Sequence, residues 1–464
     1  MIFIQSFYAL CVFCGLLYLY TRSAVPSSDD VIFKKFQHTY LVVYLLAMAA
    51  DWLQGPYVYA LYEHYGMTPH QIEQLFVAGF GSSMIFGTVV GSFADKYGRR
   101  ANCILYGILY ALACVTKHFN NFYILMIGRL LGGTATSILY SAFESWLVYE
   151  HHARTFDKDL LGTIFSHATL GNSIVAITAG VASQFFVDHY GFVSPFDASM
   201  VVLIIMVILI TTVWSENYGD AKASLGTAFK TALSHIKTDR KVLCLGLIQS
   251  LFEGAMYTFV LEWTPALGQS QVQTDPNKPK EVIPHGFIFA GFMVAIMIGS
   301  SVFKVASRYL SVESFMRPVL FISALALCAP VIMPSSQPAV FVGFLVFEGC
   351  VGIFWPSLGT MRGKYVPEEA RSTIMNFFRI PLNLIVIFIL LQNLNMITIF
   401  KFCVALLLLA SGVQWWLYRL SLVTPMADVE KGVSSSSIPF KSTQQQLVGN
   451  GGTSYDDQSE VMDV

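Results

Sequence analysis

The sequence is poor in charged residues. Asp, Glu, Lys and Arg together make up 12% of its 464 residues, whereas hydrophobic residues make up 55%. Charged residues usually account for roughly a quarter of a soluble domain, so this composition excludes an ordinary soluble domain and indicates a chain that crosses a lipid bilayer several times. The formal net charge of −1 also gives no reason to expect nucleic acid as a partner.

Patterns that carry enzymatic chemistry are missing as well. The chain has no glycine-rich nucleotide loop, no cluster with metal-ligand spacing and no convincing nucleophile with its base. All eight cysteines fall in apolar segments, and Cys11 and Cys14 share the first of these, which favours packing over a disulfide framework or a zinc site. These absences argue against a nucleotide-driven pump or an intramembrane enzyme, and we expect no cofactor and no bound metal.

Thirteen apolar runs are long enough to cross a bilayer as helices. They span residues 2–20, 38–62, 74–94, 101–117, 122–148, 160–187, 198–214, 242–266, 286–304, 316–333, 338–359, 372–392 and 396–418. The sequence therefore predicts an all-α polytopic membrane protein.

The distribution of Lys and Arg predicts the orientation of these runs. If the N-terminus is outside, nearly all cations outside the runs, Arg362 among them, lie in loops on the cytosolic side. The opposite loops contain only Lys117, Lys278 and Lys280. Because cytosolic loops carry an excess of Lys and Arg, we predict a multi-pass membrane protein with its N-terminus outside and its C-terminus in the cytosol.

The runs fall into two equal groups. After the first run, twelve remain, and the basic stretch 215–241 separates them into two sets of six. This division is typical of transporters built from two bundles, with the substrate site between them near the middle of the membrane. We predict an extra N-terminal transmembrane helix (1–21), a cytosolic basic linker (22–36), an N-terminal six-helix bundle (37–214), a cytosolic inter-bundle linker (215–241), a C-terminal six-helix bundle (242–419) and a disordered cytosolic tail (420–464).

A ten-residue motif occupies the predicted cytosolic loop at 91–100. Its pattern, Gly-x-x-x-Asp-x-x-Gly-Arg-Arg, resembles the loop motif of the major facilitator superfamily. Glycine permits close helix approach and a tight turn, and the acidic side chain can face a cation or a helix N-terminus of the other bundle. We assign gating to Gly91, Asp95, Gly98, Arg99 and Arg100. A charged turn that serves only topology is the alternative.

Four further stretches narrow the resemblance. Residues 51–62, 144–151, 252–257 and 355–364, the last leading into the segment that contains Arg379, are together similar to the molybdate-anion transporter family, a branch of that superfamily. The resemblance runs from about residue 1 to 420. It implies the major facilitator fold, molybdate as the substrate and the cell membrane as the location.

Arg379 is the strongest candidate for a binding residue. It lies about a third of the way along the apolar run from Thr373 to Leu391, where a charge is costly unless it faces water, a carboxylate or an anionic ligand. Asn376 and Asn383 lie three residues before and four after it, on the same face of a helix. Because a guanidinium fork fits oxyanions, this face is a candidate oxyanion clamp; a structural ion pair is the alternative.

Three carboxylates also approach the middle of the membrane. A rise of about 1.5 Å per residue places Asp51, Glu253 and Glu348 roughly 15–20 Å along their helices. They would repel a dianion unless they were protonated or paired in the empty carrier. We therefore assign coupling to Asp51, Glu253 and Glu348, and two hypotheses stay open: an Arg-carboxylate pair that opens on binding, or a proton that enters with the anion.

Other side chains are candidates for the cavity lining. These are Trp52, Gln54, Tyr57, Tyr257 and Trp355, for which packing is the alternative role. His167 lies at a depth comparable to Arg379 in the corresponding helix of the first bundle, and a histidine bonded to a neighbouring helix is the alternative. Arg129 belongs to an Arg-x-x-x-Gly pattern that resembles one used for substrate or proton coupling in some superfamily members; its alternative is a structural arginine.

The sequence thus predicts a transporter that takes up molybdate by alternating access. Its expected partners are the lipid bilayer, molybdate and, in the coupled hypothesis, protons; no obligate protein partner is indicated. Two alternatives stay open. One is a carrier of another oxyanion such as sulfate, or of an organic solute such as a sugar, and the other is a receptor or scaffold that does not transport.

Overall fold

The computed structural model describes residues 2–21, 30–87, 90–218, 225–274, 283–367, 371–392 and 394–423. Residues 1–421 belong to one compact unit, and of the second unit, 422–464, only the first two residues are described. Most of the predicted linker 22–36 and nearly all of the predicted tail 420–464 lie outside the described residues.

The regular secondary structure of the described residues is entirely helical, which confirms the predicted all-α class. A 3₁₀ helix, Gly55–Tyr57, joins α2 to α3. The α-helices are α1 (Ile2–Thr21), α2 (Val31–Gln54), α3 (Val58–His64), α4 (Pro69–Gly87), α5 (Val90–Tyr97), α6 (Arg99–Thr116), α7 (Phe122–Ala153), α8 (Lys158–Tyr190), α9 (Ser194–Val213), α10 (Leu225–Thr238), α11 (Arg240–Thr274), α12 (His285–Ala306), α13 (Val312–Leu327), α14 (Ala329–Ile332), α15 (Gln337–Tyr365), α16 (Arg371–Leu391) and α17 (Met396–Val423).

Ten helical runs in the described residues are long and apolar enough to cross a membrane. They include α2 to α3 as one run and α13 to α14 as another. Of the remaining predicted spans, α4 starts with polar side chains at 70, 71, 73 and 74 and α6 starts with two arginines, so their mean hydropathy is lower. The helix α16 qualifies only as the shorter apolar stretch Phe377–Leu391.

Each bundle has its own hydrophobic core. Buried side chains between Phe33 and Trp214 form one cluster, and most of the second cluster lies between Ala232 and Leu417. The helix α2 begins at Val31, within the predicted linker 22–36, and the predicted linker 215–241 contains α10, which packs on α11 and α16. The extra helix α1 packs on α12 of the second bundle.

The two bundles meet closely where α8 crosses α12, near their predicted outer ends. A Cβ atom on Gly286 would lie 2.4 Å from the carbonyl oxygen of Gly180, so the helices approach to a distance that only glycine allows. Gln184 Oε1 accepts hydrogen bonds from the Gly286 backbone N–H at 3.0 Å and from the Tyr57 hydroxyl at 2.7 Å. These contacts hold the bundles together at this end.

An apolar cluster, here called the outer plug, forms a second contact between the bundles. Its buried members come from α3, α4 and α7 of the first bundle and from α11 and α16 of the second. They are Tyr62, Ile72, Leu75, Phe76, Leu125, Leu261, Leu382, Val386 and Leu390. The bundles are therefore closed at their predicted outer ends.

Candidate functional site

Two arginines surround one carboxylate in the second bundle. Arg362 Nη2 lies 3.7 Å from Glu253 Oε1, and Arg379 is within electrostatic reach of both side chains. The three residues come from α15, α11 and α16. Charges at this depth are costly unless they are paired or face water, so the cluster is the best candidate for an anion site.

A carboxylate of the first bundle lies opposite this cluster. The Tyr110 hydroxyl donates a hydrogen bond to Asp51 Oδ1 at 2.6 Å. Tyr257, one turn after Glu253 on α11, is within electrostatic reach of Asp51, Glu253 and Arg379. The structure thus brings together four of the residues selected from the sequence, two from the proposed coupling set and two from the substrate set.

Tyr140 indicates that the space between the bundles is open. Its side chain comes within electrostatic reach of Asp51, Tyr257 and Arg379, yet the residue is 50% exposed. Asp51 and Arg379 are themselves partly exposed. Since these residues interact across the bundles, we infer that their exposed area faces a space between the bundles, on the predicted cytosolic side of the outer plug.

Trp355 shares a helix face with Arg362. The two residues are seven positions apart on α15, which corresponds to about two turns. Trp355 is 38% exposed, and no atom lies within 4 Å of a Cβ placed on Gly359 between them. Trp355 therefore has an exposed indole N–H, a neutral donor, on the helix face that carries Arg362.

The amide of Asn383 is engaged beside Arg379. Asn383 is 9% exposed and its Nδ2 donates to the carbonyl oxygen of Arg379 at 2.9 Å. In this conformation the amide group therefore bonds the helix backbone. The side chain of Asn376 lies outside the described part of the structure.

Trp52 and His167 form bonds within the first bundle. Trp52 Nε1 donates to Asn172 Oδ1 at 2.8 Å, and His167 Nδ1 lies 2.8 Å from Gln37 Nε2. The Trp52 ring also contacts Phe289 of α12 at 5.8 Å between centroids. Trp52 is thus a contact between the bundles, and His167 joins α8 to α2.

Gln54 and Tyr57 lie deeper in the packing of the predicted outer half. Gln54 is 4% exposed and donates to Ser199 Oγ at 3.0 Å. Tyr57 is 1% exposed and bonds Gln184 at the crossing of α8 and α12. Neither side chain contacts the arginine cluster in this conformation, and Tyr57 belongs to the outer closure.

Arg129 joins α7 to α4 within the first bundle. Its Nε donates to the Leu75 carbonyl at 3.3 Å and its guanidinium lies 4.5 Å from the centre of the Phe76 ring. A Cβ on Gly79 would come within 3.0 Å of this side chain. The structure therefore places Arg129 beside the outer plug, away from Arg379.

Glu348 is buried in the second bundle. It is 4% exposed and lies two turns before Trp355 on α15. In the described part of the chain its carboxyl group has no hydrogen bond and no salt bridge. A buried carboxyl without a partner is costly when ionised, which is consistent with a group that carries a proton.

The motif at 91–100 is mostly helical rather than a loop. Residues 90–97 form α5, and the backbone turns at Gly98, whose φ is +107°. Arg99 lies 5.4 Å from the centre of the Tyr149 ring, and Arg100 Nη2 donates to the Thr211 carbonyl at 2.6 Å. These contacts stay within the first bundle. The side chain of Asp95 and the environment of Gly91 lie outside the described part of the structure.

Glu216 caps the helix that follows this motif. Its two carboxylate oxygens accept the backbone N–H groups of Arg100 at 2.9 Å and Ala101 at 3.1 Å. A carboxylate at this position satisfies free N–H groups and the positive end of the helix dipole. The linker after α9 is thereby attached to the motif.

We expect Glu216→Ala to lower the free energy of unfolding by about 0.5–2 kcal/mol, the usual cost of a lost N-terminal cap. Glu216→Gln should have a smaller effect because an amide oxygen still accepts one hydrogen bond. Thermal unfolding of the purified protein in detergent measures both changes. Equal stability of the three proteins would contradict this role for the cap.

Two residues of the candidate site, Arg362 and Tyr140, are not among those selected from the sequence. The sequence places Arg362 in a cytosolic loop, but it also belongs to the 355–364 stretch and lies seven residues from Trp355. That spacing was the available signal, because residues seven apart share a face of a helix. Tyr140 carries no comparable signal.

Comparisons with known proteins identify the family. The family model MFS_5, described as sugar transporters with 12 TM, matches residues 2–354. A molybdate-anion transporter of Takifugu rubripes is 32% identical over 82% of this chain and 84% of its own length. A molybdate-anion transporter of Xenopus laevis is 34% identical over 76% of this chain and 78% of its own.

Solved structures agree with the fold. The nucleoside transporter NupG has a TM-score of 0.63 at 13% identity and covers 82% of this chain and 99% of its own. A D-xylose-proton symporter has a TM-score of 0.62 at 10% identity and covers 83% and 98%. At such low identity these likenesses show the fold alone, and they confirm the predicted major facilitator fold. The matched relatives and the family model are transporters rather than enzymes. By its similarity to these relatives over most of its length, this chain belongs to the molybdate-anion transporter family of the major facilitator superfamily.

Proposed function

We propose that this protein carries molybdate across the cell membrane by alternating access, with its N-terminus outside and its C-terminus in the cytosol. The names of its relatives suggest the substrate. The observation that carries the proposal is the pair Arg362 and Arg379 beside an open space between the bundles. A carrier of neutral solutes has no need for two guanidinium groups beside such a space.

The geometry suits a tetrahedral dianion. A guanidinium presents parallel N–H donors that match two oxygens of an oxyanion, and two such groups supply the opposite charge. Tyr140, Tyr257 and Trp355 add neutral O–H or N–H donors from three helices. Arg379, Arg362, Tyr257 and Trp355 are therefore the substrate-binding residues we propose in this conformation.

The closed outer seam supports an inward-facing state. The outer plug and the Gly180 to Gly286 contact separate the arginine cluster from the predicted outer side. Six of the remaining predicted substrate residues would reach an anion only after a rearrangement of the bundles: Asn383, Arg129, Trp52, Gln54, Tyr57 and His167. The side chain of Asn376 lies outside the described residues, and its place in the site stays a prediction. In the outward-facing state, the motif at 91–100 would take over as the cytosolic gate.

Proton coupling is part of the proposal. Asp51, Glu253 and Glu348 are carboxyl groups near the transport path, and Glu253 and Glu348 are each 4% exposed. A dianion that approaches Glu253 favours the protonated carboxyl, because like charges in a medium of low dielectric repel strongly. A proton would then travel inward with molybdate.

A sugar remains the second candidate substrate because of the description of the matching family model. Sugar sites rely on neutral hydrogen bonds and stacking, which Trp355 and the tyrosines also provide. The experiment must therefore include both solutes.

We expect purified protein in liposomes to accumulate labelled molybdate, with stronger accumulation when the outer pH is about 6 than when it is about 8. Tungstate has the same charge and shape and should compete at similar concentrations, sulfate should compete more weakly because it is smaller, and glucose should not compete. Empty liposomes are the control. Accumulation of a sugar and none of molybdate would refute the proposal, and binding of a partner protein without any transport would favour a receptor.

A further inference from the structure

The ion pair between Arg362 and Glu253 is incomplete. Its distance of 3.7 Å exceeds the usual 2.7–3.2 Å of an N–H···O hydrogen bond. Glu253 Oε1 and Arg362 Nε are both buried, and neither has a hydrogen-bond partner among the described residues. Buried polar atoms are normally satisfied, so the unpaired oxygen of Glu253, a residue that is 4% exposed, and the unpaired nitrogen of Arg362 require an explanation.

We propose that Arg362 and Glu253 set the charge selectivity of the site, so that it accepts a tetrahedral dianion when Glu253 is protonated and a monoanion when Glu253 is ionised. This inference rests on the proposed transport of an oxyanion. In the empty site, the Glu253 carboxylate stands where an anion oxygen would otherwise face Arg362. A bound anion then accepts the missing hydrogen bond from Arg362 Nε, and Glu253 in its protonated form donates one to an anion oxygen.

The charges of the site lead to this selectivity. Arg362 and Arg379 contribute two positive charges, and ionised Glu253 contributes one negative charge. A bound dianion balances the two arginines only if Glu253 takes up a proton from the water in the cavity. A monoanion balances them while Glu253 stays ionised. Because uncompensated charge is costly in a buried site, the protonation state of one carboxyl decides which anion binds.

The surroundings of Glu253 fit this role. The groups that face it are Arg362 from α15, Arg379 from α16, and Gln249 and Tyr257 from its own helix. The carboxylate of the first bundle, Asp51, also faces this space and accepts a hydrogen bond from the Tyr110 hydroxyl, and its charge is common to the comparison of the two anions. Arg362 keeps 24% of its side chain exposed, which gives an anion and a proton access from the cavity.

The test compares two tetrahedral oxyanions of similar size and different charge, molybdate as the dianion and perrhenate as the monoanion. In liposomes at pH 6 to 8, the molybdate to perrhenate uptake ratio of the unaltered protein should rise as the pH falls. Glu253→Gln should keep this ratio high and independent of pH. Arg362→Gln should lower the ratio at least about tenfold, mainly through lost molybdate uptake, and Arg362→Lys should restore part of it.

The controls separate selectivity from a structural role. A merely structural Arg362 would reduce both anions equally, and that result, or an unchanged pH profile in Glu253→Gln, would overturn the inference. If the variants do not fold, the melting temperature of the unaltered protein tests the same dependence of anion binding on pH. Molybdate should raise this melting temperature more at pH 6 than at pH 8, and perrhenate should not. Uptake of neither anion by the unaltered protein would instead refute the proposed function itself.

Discussion

Replacing Arg379 with Gln should reduce molybdate uptake at least about 100-fold while the protein remains in the membrane. A hydrogen bond to a charged group contributes about 1.5–3 kcal/mol, and two parallel bonds from one guanidinium contribute about 3 kcal/mol or more, which corresponds to roughly 100-fold. Gln keeps a polar side chain of moderate length but supplies no charge. Initial uptake of labelled molybdate into liposomes, normalised to the amount of protein, measures the effect.

Lys401→Gln is the matched control for Arg379→Gln. Lys401 is also a cation within a membrane helix, α17, but it is exposed and has no role in the site. Its replacement should leave uptake within about twofold. Arg379→Lys should retain part of the uptake because it keeps the charge and loses the fork. Near-normal uptake by Arg379→Gln would remove this residue from the site.

Hydropathy and charge predicted much of the fold and part of the site. A lone arginine in an apolar run is costly in hydrocarbon, so Arg379 could be selected without any knowledge of its neighbours. Depth along each helix also selected Asp51 and Glu253, which the structure brings to the same region as Arg379. Depth is readable from sequence because every helix crosses the same bilayer.

The rotation of each helix about its own axis was not readable in the same way. Trp52 directly follows Asp51, about 100° further around the helix, and it bonds Asn172 inside the first bundle while Asp51 faces the site. Their roles depend on which helices pack on each side of α2. This packing depends on long-range contacts that a single sequence does not reveal.

Arg362 was missed for a related physical reason. It lies three residues before the end of α15, next to Gly363 and Lys364, and such a position is typical of a cation that faces cytosolic water. The helix is 29 residues long, about 43 Å at 1.5 Å per residue. Its last turn therefore lies on the predicted cytosolic side, where Glu253 of α11 also reaches it.

The crossing of α8 and α12 was also unpredictable, because glycines are frequent throughout the chain. The sequence contains 34 of them, and many, such as Gly162 on α8, would have no atom within 4 Å of an added Cβ. Gly286 differs because a Cβ there would lie 2.4 Å from Gly180 O and 2.6 Å from Gln184 Cβ. The contact is therefore a place where the size of one side chain controls closure of the bundles.

Gly286→Leu should hold the carrier open at its predicted outer end and reduce uptake about 10- to 100-fold. An overpacked contact costs about 1–3 kcal/mol, and this cost falls only on the closed state, so it shifts the equilibrium toward the open state by roughly 10- to 100-fold.

Leu261, which is 5% exposed in the outer plug, reports the shift. A cysteine introduced there as Leu261→Cys should react faster with a membrane-impermeant maleimide in the Gly286→Leu background. Gly162→Leu on α8, the helix that Gly286 contacts, lies where space is free and should change neither uptake nor labelling. Unchanged labelling together with normal uptake in Gly286→Leu would mean that the bundles separate elsewhere during transport.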